Sequence, residues 1–223
     1  MPVDVRELTI GVLGGTGPLG AGLARRFAAA GVTVVVGSRD QAKGERVAEE
    51  IRTAVPGGSC SGGDNAEIAR QADLLVVAVP YEGHADLLRS LAAPLAGKIV
   101  VDCVNPLGFD KQGAYPLDVP EGSAAQQAAA LLPESRVTAA FHHVSAPLLL
   151  DIEVLSVELD VLVLGDDRVA TDTVQALAEL IPGARGIYAG RLRNAHQVEA
   201  LTANLISINR RYKAHAGLRI TDV

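Results

Sequence analysis

Six residues, Gly15-Thr16-Gly17-Pro18-Leu19-Gly20, constrain this chain more than any other stretch. They follow an apolar run, Leu8 to Leu13, and open an Ala/Leu-rich stretch, Ala21 to Ala30. That order predicts strand, tight turn and helix, the setting in which a G-x-G-x-x-G spacing holds a dinucleotide. Gly15 permits the tight turn. Gly17 lets the backbone approach a pyrophosphate, and Gly20 lets the helix pack close to the strand. The N–H groups and positive dipole end of the helix N-terminus then face the phosphates.

The end of the second strand says which dinucleotide. Val32 to Val36 runs into Gly37-Ser38-Arg39. An NAD site has an Asp or Glu here to accept from the ribose 2′-hydroxyl, and that carboxylate repels a 2′-phosphate. This chain has a hydroxyl and a guanidinium, with Lys43 one helical turn later. Arg39 can grip a phosphate through its planar fork and stack on an adenine. The expected cofactor is NADP. Asp40, the one nearby acid, is expected to cap the next helix. Read alone, the glycines could form an ordinary loop and Arg39 a solvated charge; their conjunction outweighs that.

A chain of 223 residues fits one domain, or one with a small second unit. It is 48% hydrophobic and 21% charged, which is a globular composition. A net charge of −6 argues against a nucleic-acid partner, and 3% aromatic content leaves little for base stacking. Cys60 and Cys103 are far apart, with no CxxC, so neither a disulfide framework nor a zinc site is expected. The first residues carry acids and no long apolar core, unlike a signal peptide. No apolar run approaches the roughly 18 residues of a membrane span, and the expected location is the cytoplasm.

Strand and helix patterns alternate along the chain. Helices are expected over Gln41 to Ala54, Asp64 to Gln71, Gly83 to Leu91, Ser123 to Leu132, Val169 to Leu180 and Arg193 to Arg211. Strands are expected at Ser59–Ser61, Leu74–Val79, Lys98–Asp102, Arg136–Phe141, Leu159–Leu164 and Arg185–Tyr188. The segment Val104 to Gly122, rich in Gly and Pro, reads as a long functional loop. The fold class is α/β: a doubly wound parallel (Rossmann) sheet with a small C-terminal α/β extension. The expected division is 1–146 for the NADP-binding domain and 147–223 for the C-terminal unit.

Gly14 to Gly20, Val35-Val36-Gly37-Ser38-Arg39, Ala78-Val79-Pro80-Tyr81-Glu82 and Val198-Glu199-Ala200-Leu201-Thr202 together carry a resemblance over nearly the whole chain. The chain resembles the NADP-dependent oxidoreductases of the deazaflavin coenzyme F420. The resemblance implies reversible hydride transfer between reduced F420, as co-substrate, and NADP+. It implies that Thr16, Gly17, Pro18 and Leu19 cradle the pyrophosphate and that Ser38, Arg39 and Lys43 hold the 2′-phosphate. It sets Val79 and His84 near the nicotinamide, with Asn105 and Ala146 lining the same groove. His142 and Val144, within Phe141 to Ala146, would meet the deazaflavin, and Gly217-Leu218-Arg219-Ile220 would close over it. The chain departs from the family pattern in an extra residue, Gly83, in Tyr81, and in the polar His143 and Ser145.

Hydride transfer between two carbon centres asks for proximity and exclusion of water rather than a nucleophile or metal. No catalytic residue and no metal ligand are assigned. His142-His143 is discounted as a metal pair because adjacent strand side chains point to opposite faces. For these two rings, hydrogen-bonded structural roles and cofactor contact both stay open. His84 can equally be read as a helix cap. The stripe Val198, Leu201, Leu205 and Ile208 suggests a homodimer. Two other readings compete: a redox sensor that binds NADP(H) without turnover, and an NADPH-dependent reductase of an imine, a flavin or ferric iron. A second-ligand cavity beside the nicotinamide position would favour the enzyme over the sensor.

Overall fold

The computed structural model describes residues 4–223. In chain order the elements are β1 (Thr9–Leu13), α1 (Pro18–Ala29), β2 (Thr33–Ser38), α2 (Gln41–Ala54), β3 (Cys60–Asp64), α3 (Asn65–Gln71), β4 (Leu74–Val77), α4 (His84–Leu95) and β5 (Ile99–Asp102). There follow β6 (Leu107–Asp110), β7 (Gly113–Pro116), α5 (Ala124–Leu131), β8 (Arg136–Ala139), α6 (Ala146–Leu150), β9 (Leu159–Gly165), α7 (Arg168–Glu179), β10 (Ala184–Gly190) and α8 (Ala195–Tyr212). Eight strands form one sheet in the order β10-β9-β8-β5-β4-β1-β2-β3. This is the α/β architecture expected from the glycine turn and the alternating pattern.

The central strands β1, β2, β4 and β5 are largely apolar and buried on both faces, as buried parallel strands must be. Val34 and Val36 point into one core layer with Leu23 and Phe27 of α1. Val35 points into the other with Ile68 and Ala69 of α3. Helix starts follow the local chemistry: Asp40, Asp64, Ser123 and Asp167 each accept from a backbone N–H of the first turn.

Three features differ from the sequence expectation. First, the sheet is not wholly parallel: β9 runs antiparallel to β8, and β10 follows β9. A parallel strand needs a crossover of about a dozen residues or more, usually a helix. The only helix between β8 and β9 is α6, with 5 residues. Second, Val104–Gly122 is not a plain loop. It contains the antiparallel hairpin β6–β7. Its turn is closed by Asp110, whose carboxylate accepts from the N–H groups of Gln112 and Gly113 at 2.7 and 3.1 Å. Third, α6 itself was not foreseen.

The residue that secures α6 is Arg26, on α1 and only 6% exposed. Its guanidinium donates to the carbonyls of Leu149, Val154, Leu148 and Asp151 at 3.0, 2.9, 2.6 and 2.6 Å. Arg25 reaches the Leu150 carbonyl. Gly22 lets the two helices meet closely: a Cβ there would stand 2.7 Å from that of Leu149. Among the described residues, no helix is long and apolar enough to cross a membrane.

Candidate active site

The strand order sets the expected residues, scattered in sequence, along one edge of the sheet. Reading across the C-terminal ends of β2, β1, β4, β5 and β8 gives Ser38, Gly14 to Gly17, Val79, Asn105 and His142. Chain direction through the sheet reverses between β1 and β4, the point at which ligands bind in this architecture.

The glycine turn divides into structural and ligand-facing positions. Gly14 has φ 72°, and a Cβ there would come within 2.6 Å of the Val79 side chain. A Cβ at Gly20 would lie 2.8 Å from the Gly14 carbonyl oxygen, so this glycine serves packing of helix on strand. Gly17 is different: no protein atom would approach its Cβ closer than 3.5 Å. The fold would accept a side chain at Gly17, so the bare backbone fits an approach from outside, as a pyrophosphate requires. The first helical bond runs from the Ala21 N–H to the Gly17 carbonyl at 2.8 Å, leaving the earlier N–H groups of the helix end unused.

At the end of β2, Ser38 is buried and its Oγ accepts from the Asp40 N–H at 3.2 Å. Asp40 turns its carboxylate to the Lys43 N–H at 3.3 Å, as expected of a cap. Arg39 and Lys43 are exposed. They border a cleft of about 510 Å³ with Thr16, Gly17, Ser38 and Val79. Among the described residues neither side chain is in an ion pair. Two free cations over a buried hydroxyl suit a phosphate.

The other half of the edge is built around the His142 carbonyl. Asn105 Nδ2 donates to it at 2.9 Å, and Thr202 Oγ stands 3.1 Å away. His142 and His143 are 3% and 4% exposed, and none of their four ring nitrogens meets a hydrogen-bond partner in the protein. Burial pushes both pKa values down to about 4, so both rings are neutral at pH 7. Both residues border a cavity of about 300 Å³, together with Val144, Ala146, Thr202 and His215. That both residues border one cavity, beyond the end of the strand, corrects the strand-alternation argument. β8 stops at Ala139, and Phe141 has φ 63°, so strand geometry has ended before the histidines. Among the described residues, no cluster of three or more His, Cys, Asp or Glu side chains could hold a metal ion.

The C-terminal segment reaches this cavity through Ala214, His215 and Ala216. His215 Nδ1 lies 3.0 Å from Ser145 Oγ. Leu218 to Ile220 sit one step back, on β9: the Leu218 carbonyl accepts from the Asp160 N–H at 2.8 Å, and Asp160 accepts from the Ile220 N–H at 2.6 Å. Arg185 grips Asp160 with two bonds of 2.6 and 2.7 Å, Arg219 adds one of 3.0 Å, and these bonds with that from the Ile220 N–H hold the Asp160 pKa well below the carboxylate range.

His84 is not on the cleft wall, which Gly83 and Leu87 supply. Its ring is fully buried, with Nε2 2.6 Å from Asp102 Oδ2 and Nδ1 3.1 Å from Gln127 Oε1. Burial disfavours a charged ring there, but the Asp102 charge, the hydrogen bonds to Asp102 and Gln127 and the Glu199 charge together outweigh it and raise the His84 pKa. Sequence reasoning gave no role to Asp102, Gln127 or Glu199, although Glu199 lies in one of the motifs that carry the resemblance. Glu199 is 2% exposed and accepts from the N–H groups of Ala124 and Ala125 at 2.9 and 3.1 Å. Burial raises its carboxyl to about 7. The one sequence signal was a carboxylate beside Val198 on the apolar stripe of α8.

A Rossmann sheet with a glycine turn at a helix N-terminus, a basic strand end and a second cavity on the same edge defines a dinucleotide-dependent oxidoreductase. The family model described as "NADP oxidoreductase coenzyme F420-dependent" matches residues 9–106. The F420-dependent NADP reductase of Methanothermobacter thermautotrophicus is 38% identical over 228 aligned residues, covering 99% of this chain and 98% of that one. The F420-dependent NADP reductase of Methanocaldococcus jannaschii is 35% identical, covering 97% and 99%. A solved structure of a putative F420-dependent NADP reductase from Arthrobacter sp. FB24 is similar with a TM-score of 0.78 at 26% identity, covering 96% and 99%. The chain belongs to the F420-dependent NADP reductase family.

Proposed function

We propose that this chain transfers hydride reversibly between reduced coenzyme F420 and NADP+, with residues 1–146 holding NADP and 147–223 completing the deazaflavin side. As a family member it is an NADP-linked oxidoreductase with F420 as the partner substrate. The observation that carries the residue-level reading is the second cavity. It lies on the same sheet edge as the cleft that borders Gly17 and Arg39, and it is bordered by His142 and His143, two buried residues whose ring nitrogens have no partner in the protein. A filled surface there would have favoured a binding protein without turnover.

Thr16, Gly17, Pro18 and Leu19 take the pyrophosphate, and Ser38, Arg39 and Lys43 take the 2′-phosphate. Val79 borders the nicotinamide position. Asn105 and Ala146 continue the groove to His142 and Val144 on the deazaflavin side. The two bound cofactors supply the hydride donor and acceptor carbons. The protein's part is to hold their rings together and keep water out.

Mixing the protein with NADP+ and reduced F420 tests the reading: NADPH forms. Intact NADPH binding without turnover overturns it. In the same assay Arg39→Ala weakens NADPH by about 1.5–3 kcal/mol and leaves NADH nearly unchanged, the loss of one charge-assisted contact. Equal losses for both would show that Arg39 does not read the 2′-phosphate.

We further propose a cytoplasmic homodimer. Two unpaired, buried cysteines suit a reducing compartment; recovery in the secreted fraction would contradict it. On α8, Val198 and Leu205 are buried within the protomer, while Ile208 and Tyr212 are 39% and 74% exposed and free to meet a second copy. Light scattering that gives a monomer at micromolar concentration rejects the dimer.

A further inference from the structure

His84, Asp102 and Glu199 are ionisable, 0–2% exposed, and border neither the cleft nor the second cavity. We propose that they close a ring of hydrogen bonds that fixes the spacing between the nicotinamide wall and the His142 loop, which makes them positioning residues for hydride transfer. The proposal rests on the F420/NADP reading above.

The ring can be traced bond by bond. At the end of β5, Asp102 Oδ2 meets His84 Nε2 at 2.6 Å, and Oδ1 accepts from the Val104 N–H at 3.1 Å. The next residue, Asn105, donates to the His142 carbonyl at 2.9 Å, and Thr202 Oγ joins that carbonyl at 3.1 Å. One turn back along α8, Glu199 accepts the first two N–H groups of α5 at 2.9 and 3.1 Å. One turn into α5, Gln127 Oε1 stands 3.1 Å from His84 Nδ1, and the circuit returns to its start.

Two arms of this ring touch the proposed cofactor surfaces. His84 directly follows Gly83, and Val79, Pro80 and Gly83 form one wall of the cleft. His142 borders the second cavity. The ring thus links the two walls through directional bonds rather than apolar contacts, which allow loops to slide. Its own members are held in orientation. Both nitrogens of His84 face oxygen atoms, and Gln127 is turned by a bond from its Nε2 to Glu121 Oε2 at 3.1 Å. Stability alone does not call for such a device, because buried charged groups are often replaceable by apolar side chains at no loss. Hydride transfer does call for one, because a misplacement of about 1 Å costs on the order of 100-fold in rate.

The test is single-turnover hydride transfer from NADPH to F420, read together with the dissociation constants of both. His84→Leu keeps the volume and removes the bonds. It slows transfer about 10- to 100-fold while both dissociation constants stay within about threefold. His84→Gln, which can still donate to Asp102, recovers the rate to within about threefold of wild type. Glu199→Gln keeps one acceptor of two and slows transfer about 3- to 10-fold with the fold intact. The double variant His84→Leu/Glu199→Gln is no slower than His84→Leu alone, since a ring already opened has little more to lose. Should His84→Leu fail to fold, Glu199→Gln and His84→Gln still decide the matter by the same rate and binding readout. Wild-type turnover with unchanged rates in the variants overturns the proposal alone. So does a loss that lies wholly in cofactor affinity, or effects of the two substitutions that simply multiply. Wild-type protein that binds both cofactors without turnover overturns the functional reading and this proposal together.

Discussion

Lowering the pH from 6.5 to 4 costs the folded protein about 3 kcal/mol for each of His142 and His143, measured against a His142→Leu/His143→Leu variant. Both rings have pKa values of about 4 in the folded chain, against an ordinary 6.5. In that window the unfolded chain binds protons that the folded one refuses. Stability therefore rises with pH between 4 and 6.5 and is lost on acidification. Glu199 acts in the opposite sense. Its folded pKa of about 7 lies above the ordinary 4.5, so folding takes up a proton there and acidification from 7 to 4.5 favours the folded state. That contribution is common to both proteins and cancels in the comparison. Across the window the urea unfolding midpoint of the wild type should fall relative to that of the variant as the pH falls. Curves that stay parallel would mean that the imidazoles are solvated or hydrogen-bonded after all.

Arg26→Ala should cost about 3–4 kcal/mol, the largest loss expected from a single side chain away from the cofactors. One buried guanidinium satisfies four carbonyls at and after the end of α6, all at 3.0 Å or less. A five-residue helix has little stability of its own, so its last carbonyls depend on what the tertiary structure supplies. Removing the guanidinium leaves one buried and three part-buried carbonyls without this donor. Arg26→Lys should recover less than half of the loss, because an ammonium cannot fork across the same four oxygens. Since α6 begins at Ala146, which borders the second cavity, F420 affinity should fall more than NADPH affinity. Unfolding by urea and paired binding measurements check both statements. A stability loss under about 1 kcal/mol would show that water replaces the guanidinium.

The legible parts of this molecule are those whose physics is local. Gly14 to Gly20 declare a turn through backbone sterics, and Gly20 meets the Gly14 carbonyl as that turn requires. Asp40, Asp64 and Ser123 mark helix starts because a short polar side chain before a helix accepts an N–H of its first turn. Ser38 and Arg39 were readable because they stand at a strand end where a carboxylate would repel a 2′-phosphate, and the structure sets both on the border of the cleft. The hairpin β6–β7 carried a readable signal too, in Asp110 and the turn to Gly113, which a count of Gly and Pro residues passed over. The direction of β9 was decided by α6 being too short for a crossover, and α6 owes its carbonyl partners to Arg26, more than a hundred residues earlier in the chain.

The amino-acid sequence by itself determined the α/β class, NADP as a cofactor and, by resemblance, F420 as its partner. Only the tertiary structure decided that His84 turns inward to Asp102, that His142 and His143 share a cavity, and that Glu199 bridges α8 to α5. The reason is one of range. Turns, caps and strand-end charges act over a few neighbouring residues, whereas a buried polar group is satisfied by whichever distant partner the folded sheet brings within about 3 Å.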